Sequence, residues 1–256
     1  MFELKKKVVF FLEGSFHLRF LMPIIQKVVS DDFVDYQIIS LESFDIPNIK
    51  KSKYTFIEKK NINKYLLELE ADYFITTTPG VGYSYFPKSK VLPKENRPKY
   101  IYVFHSLVSP NEVYSKNSFN KFDIIFSPNN TISNQLNVLV SKKTKILTTG
   151  YPLFLTQYKE NKQDRPNKNV LIAPSWGKEN FLKNKNFMNK LISFLNTEKA
   201  NVYVRPHPMA NNLIKSSLFK IEDSVNPNFT FFDYLFTDWS GIALEFHFIK
   251  RQSVFF

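Results

Sequence analysis

Short apolar runs alternate with amphipathic stretches along the whole chain. Val8-Val9-Phe10-Phe11-Leu12 is β-branched and aromatic and stops at Glu13-Gly14-Ser15, which predicts a buried strand and a turn. Phe20, Leu21, Ile24, Ile25 and Val28 then recur at helical spacing. The alternation continues: strands are predicted over 36–41, 54–57, 73–77, 100–104, 124–126 and 145–148, with a helix over 62–69. Residues 156–169 are polar and charged and read as a linker. Beyond them the pattern restarts, with strands over 170–173, 201–204 and 234–236 and helices over 187–195 and 242–248. A last strand-like run, 253–256, ends the sequence, so the second unit is expected to be truncated. Apolar strands alternating with helices imply parallel sheets covered on both faces. The expected architecture is α/β in two lobes, 1–152 and 153–256.

In open parallel sheets, ligands gather beyond the carboxyl ends of the strands. Those positions hold Gly14-Ser15, Pro79-Gly80, His105-Ser106, Ser175-Trp176, Arg205-Pro206-His207 and Thr237-Asp238-Trp239-Ser240-Gly241. The four histidines are His17, His105, His207 and His247, and two of them directly follow strands. An imidazole can take a proton from a hydroxyl near neutral pH or donate to a phosphate; a loop histidine bonded to a backbone carbonyl is the plain alternative. His17, in the turn after Gly14, is placed to line the same cleft, and His247, in an apolar helix, reads as structural. Arg205 suits phosphate oxygens and is held in a proline-rich turn, although a surface salt bridge would use it equally well. Thr237-Asp238-Trp239-Ser240-Gly241 precedes a helix, where backbone N–H groups and Ser240 can hold phosphate or simply cap the helix.

Composition narrows the chemistry. There is no cysteine, which excludes disulfides, cysteine-based zinc sites and a thiolate nucleophile and fits a cytoplasmic setting. Neither a Walker motif nor a G-x-G-x-x-G fingerprint is present, and no metal-ligand spacing stands out, so no metal or other cofactor is expected. No apolar run reaches the ~20 residues that span a bilayer. The net charge of +12 is carried mostly by lysine. It suits a solvated surface, a pocket for anions or peripheral contact with an anionic membrane at its inner face. Without a basic-aromatic RNA motif, nucleic acid is not an expected partner.

The order His105-Ser106, Gly150-Tyr151-Pro152, Ala173-Pro174-Ser175-Trp176, Arg205-Pro206-His207-Pro208 and Thr237-Asp238-Trp239-Ser240-Gly241 with Glu245-Phe246 resembles the CDP-glycerol glycerophosphotransferases, bacterial teichoic-acid and capsule enzymes. The resemblance covers about 100–256 and implies a glycosyltransferase-B-like fold with two Rossmann-like lobes facing a cleft. It implies transfer of glycerol or ribitol phosphate from a CDP-activated donor to a hydroxyl of a polyol-phosphate, lipid-linked or glycan acceptor. His105 then matches the base, with His207 near the donor pyrophosphate. Arg205, Ser240, Gly241, Thr237, Asp238, Ser175, Trp176, Gly14 and Ser15 are the accompanying substrate or phosphate candidates. The family often has His-Gly at His105-Ser106 and a second serine at Gly241. Two rivals are a nucleotide-sugar glycosyltransferase of the same fold and a non-catalytic module for anionic lipid or nucleic acid.

Overall fold

A computed structural model describes residues 5–81, 95, 97–155, 166–175, 181–207, 217–224, 227–238, 240–250 and 254–255. The chain divides into two compact units, Met1–Thr156 and Gln157–Phe256.

The first unit is built on a seven-stranded sheet of β1 (Lys6–Leu12), β2 (Val34–Ser40), β3 (Tyr54–Phe56), β4 (Tyr73–Thr76), β5 (Lys99–Val103), β6 (Ile124–Ser127) and β7 (Lys145–Thr148). Its order is β3-β2-β1-β4-β5-β6-β7, and every pairing is parallel. The chain therefore winds outward from β1 in one direction, then returns to β4 and winds in the other. The switch point lies between β1 and β4.

Alternation of side chains across each strand explains why both faces are covered. Val8, Phe10 and Leu12 of β1 face α1 (Leu18–Val29) through Leu21 and Ile25. Val9 and Phe11 belong to the opposite core with Ile62 and Leu66 of α2 (Ile62–Leu67) and Ile132 and Leu136 of α4 (Asn130–Leu139). A short helix, α3 (Pro110–Val113), follows β5. The sequence pattern missed α4, because only Ile132 and Leu136 mark its buried apolar positions. Its start signal was present, however: the Asn129 side chain accepts from the Ile132 N–H at 2.8 Å.

The second unit repeats the plan. Its strands are β8 (Asn169–Ile172), β9 (Asn201–Val204), β10 (Lys220–Ile221), β11 (Tyr234–Thr237) and β12 (Val254–Phe255), ordered β10-β9-β8-β11-β12 and all parallel. The switch point lies between β8 and β11. Val170 and Ile172 pack against Met188, Ile192 and Leu195 of α5 (Lys185–Thr197), while Leu171 meets Phe246 of α6 (Ile242–Lys250) on the other face. The two-residue β10 gave no sequence signal. Of the expected linker, 156–165 lie outside the described residues, and Asn169 already belongs to β8.

One device sets strand register three times. Asp72, Asp123 and Asp233 each stand directly before a strand. Each donates its backbone N–H to the carbonyl of a residue on the neighbouring strand, Lys7, Tyr100 and Asn169 respectively, at 2.8–2.9 Å. Each carboxylate accepts the N–H of that same residue at 2.8–2.9 Å. A two-bond clamp of this kind leaves no room for a one-residue slip, which would carry the apolar set to the wrong face.

Candidate functional site

In the first unit, the carboxyl ends of β1, β4 and β5 bring His17 and His105 together. Their rings lie 5.8 Å apart, edge to face. His105 is held from several sides. The Tyr102 hydroxyl is 3.2 Å from its Nδ1, the Phe20 ring is 5.2 Å away, and Tyr151 Oη donates to its carbonyl at 3.1 Å. The last contact gives Gly150-Tyr151-Pro152 a physical role. Gly150 takes φ +90, a backbone conformation that favours glycine, and Tyr151 then reaches back to clamp the histidine loop. Part of His105 remains open to solvent, yet protein crowds its ring, and this desolvation lowers its pKa from 6.5 to about 4.

His17 is buried at 3% exposure. Its Nδ1 shares a hydrogen bond with Thr77 Oγ1, spanning the β1–β4 switch point, and its Nε2 has no hydrogen-bond partner. Burial first, and the neighbouring His105 second, push its pKa well below the ordinary value. Sequence reasoning noticed His17 but ranked it below the strand-end histidines; only the fold shows that it stacks beside His105.

Gly14 and Ser15 are placed differently from the phosphate role expected of them. The Ser15 N–H donates to the Glu42 carboxylate at 3.0 Å. A Cβ on Gly14 would meet that carboxylate at 3.0–3.1 Å, so glycine here serves the close approach of Glu42. Burial also raises the pKa of the adjacent Glu13. The carboxyl groups of Glu13 and Glu42 therefore stand close to this loop.

In the second unit, Asp238 and Thr237 tie the switch point shut. The Thr237 hydroxyl donates to the Ala173 carbonyl, and Asp238 Oδ1 accepts the Ser175 N–H, both at 2.6 Å. Thr237 is fully buried and Asp238 nearly so. Their part is to hold the ends of β8 and β11 together. Ser240 and Gly241 stand at the start of α6, where Ser240 Oγ lies 3.5 Å from the Ile242 N–H and no atom lies within 4 Å of a Cβ built on Gly241. His207 is partly exposed beyond β9, and its pKa falls to about 4 through desolvation and the Arg205 charge, with Asp238 opposing. Arg205 Nη1 donates to the Ser224 carbonyl at 2.8 Å and pairs with Glu222 at 3.6 Å, so the salt-bridge alternative describes its position. Trp176 lies outside the described residues. His247 is exposed on α6 rather than set into the core. Among the described residues, no group of three or more acidic or histidine side chains could hold a metal, and no helix is long and apolar enough to cross a membrane.

Two successive Rossmann-like sheets, each with polar residues gathered beyond the carboxyl ends of its strands, define the glycosyltransferase-B-like class of two-lobed α/β enzymes. Within that class, the chain belongs to the CDP-glycerol:poly(glycerophosphate) glycerophosphotransferase family, whose model matches residues 6–256. It is thus a transferase of the glycerophosphotransferase type. No curated protein matches the sequence significantly.

Solved structures show the same fold. A histidine-to-asparagine variant of the wall teichoic acid polymerase TagF, soaked with CDPG, has a TM-score of 0.65 at 18% identity, covering 99% of this chain and 70% of that one. The UDP-GlcNAc 2-epimerase of Methanocaldococcus jannaschii, in complex with UDP-GlcNAc and UDP, also has a TM-score of 0.65, at 14% identity and 97% and 83% coverage. The UDP-N-acetylglucosamine 2-epimerase of Rickettsia bellii gives 0.67 at 13% identity, with 97% and 78% coverage.

Proposed function

We propose that the chain moves glycerol or ribitol phosphate from a CDP-activated donor to an acceptor hydroxyl, with His105 as general base. The observation that carries this reading is the state of His105. It stands at a strand end, clamped at both backbone and ring, with a pKa that keeps it unprotonated at neutral pH. The acceptor oxygen attacks the β-phosphorus of the donor as its proton passes to His105. The bond from that phosphorus to the bridging oxygen breaks, and CMP leaves with the electron pair. The products are a phosphodiester and CMP.

The second lobe supplies stabilisation of the pyrophosphate. The start of α6, with Ser240 and Gly241, offers N–H donors, and His207, which feels the Asp238 charge, adds another. Arg205 adds positive charge while held by Glu222 and Ser224. Thr237, Asp238 and the Ser175 N–H shape this end of the sheet. The acceptor is a polyol-phosphate, lipid-linked or glycan chain end. The lysine-rich surface keeps the enzyme against the cytoplasmic face of an anionic membrane.

Incubation with CDP-glycerol and CDP-ribitol against UDP- and CMP-sugars tests the donor. Release of CMP from a CDP-polyol is expected, whereas UDP release from a UDP-sugar alone points to the glycosyltransferase reading. His105→Ala should abolish transfer while leaving donor affinity intact; retained turnover removes His105 from the role of base. Binding to vesicles should rise with their anionic lipid content, and equal binding to neutral vesicles refutes the electrostatic contribution.

A further inference from the structure

We propose that Tyr102 and Tyr114 form a hydroxyl relay that fixes His105 in the tautomer with its proton on Nδ1, leaving Nε2 to take the acceptor proton. The inference rests on the reading of His105 as base and assigns Tyr102 as a positioning residue for it.

A neutral imidazole has one N–H and one lone pair, and a hydrogen bond at one nitrogen decides which nitrogen carries the proton. Tyr102 Oη lies 3.2 Å from His105 Nδ1 and donates its proton to Tyr114 Oη at 3.4 Å. A tyrosine hydroxyl has a single proton. With that proton committed to Tyr114, the oxygen facing Nδ1 is an acceptor, and Nδ1 must be the donor. The lone pair is then on Nε2. If Tyr102 turned its proton toward Nδ1 instead, Nε2 would carry hydrogen and could not accept a second proton.

Neither end of the contact can drift. Tyr102 is fully buried on β5, its ring 5.0 Å from that of Phe119 and 5.1 Å from that of Phe122. The backbone of His105 is fixed by Tyr151. When His105 accepts the substrate proton, the Nδ1–H bond to Tyr102 becomes charge-assisted and shortens, so the relay favours the imidazolium formed during transfer.

Nitrogen NMR of the full chain, 15N-labelled at histidine and observed without substrate, reads the tautomer directly. In the wild type, His105 should show a protonated Nδ1 and an unprotonated Nε2. Tyr102→Phe keeps the ring packing and removes the acceptor. Tyr114→Phe removes the acceptor for Tyr102's proton and frees that hydroxyl to turn toward Nδ1. Both variants should shift His105 toward the Nε2–H form and lower kcat for CMP release from CDP-glycerol about 3- to 10-fold, with donor KM changed by less than about two-fold.

A wild-type His105 protonated on Nε2 overturns the proposal, and so does a Tyr114→Phe enzyme with the wild-type tautomer. If Tyr102→Phe fails to fold, Tyr114→Phe, altered at a half-buried ring, decides the matter alone. Turnover retained by His105→Ala refutes the base reading by itself, because the tautomer is read independently of activity.

Discussion

Replacing Phe20 with leucine should move the acid limb of the transfer reaction toward neutral pH. The Phe20 ring is 8% exposed and lies 5.2 Å from the ring of His105. It is part of the crowding that lowers the His105 pKa to about 4. A base with that pKa is about 90% in its working form at pH 5, whereas one at the ordinary value near 6.5 is about 3% so. The wild-type acid limb is therefore expected far below the usual histidine range. Leucine removes the flat ring and admits water to one side of the imidazole. If that restores about one unit, the working fraction at pH 5 falls from about 90% to about half, with no change at pH 8. The substitution also costs about 1–2 kcal/mol of stability, so each rate is normalised to folded protein by circular dichroism. The groups facing His105 are His17 and Tyr102, and burial holds His17 itself neutral. The assay is kcat for CMP release from CDP-glycerol between about pH 4.5 and 8. A wild-type limb near 6.5 that vanishes with His105 would refute the desolvation argument. A limb unmoved by Phe20→Leu would show that the ring does not set it.

Other consequences are open to direct measurement. Asp238→Asn keeps the shape but weakens the 2.6 Å bond to the Ser175 N–H, and should cost the second unit about 1–2 kcal/mol in urea unfolding; an unchanged midpoint would count against the switch-point tie. Gly241→Ser meets open space, so stability should stay within about 0.5 kcal/mol, and a hydroxyl added at the start of α6 should lower the donor KM if phosphate binds there. Arg97 and Asp123 form an ion pair at 2.7 Å with side chains only 7% and 10% exposed; Arg97→Met should destabilise the first unit by about 3–5 kcal/mol while leaving activity per folded molecule unchanged. His17, His105 and His207 all have lowered pKa values, so between about 4 and 6.5 the unfolded chain binds more protons than the folded one, and stability should fall as pH drops through that window. A urea midpoint independent of pH from 7 to 5 would contradict this.

The sequence by itself determined the order of the strands other than β10 and of the helices other than α3 and α4, and the places where chemistry could gather. Runs such as Val8 to Leu12 and Tyr100 to Phe104 are too apolar for anything but buried parallel strands, and a strand must stop where polar residues begin. That rule exposed His105, His207 and the Thr237–Gly241 segment at once. It could not tell which of them are free to act, because a hydroxyl or carboxylate looks the same in sequence whether it meets a ligand or its own backbone. Tertiary structure made that choice. It spends Thr237 and Asp238 on joining β8 to β11, gives the Ser15 N–H to Glu42, and ties Arg205 to Glu222 and Ser224. It also brings together His17, Phe20, Tyr102, His105 and Tyr151, which are spread across more than half of the sequence. Their meeting depends on the sheet winding outward from β1 and returning to β4 and β5. Strand order is a long-range choice that no local pattern encodes, and in this protein it is what turns a loop histidine into a desolvated one, clamped at backbone and ring.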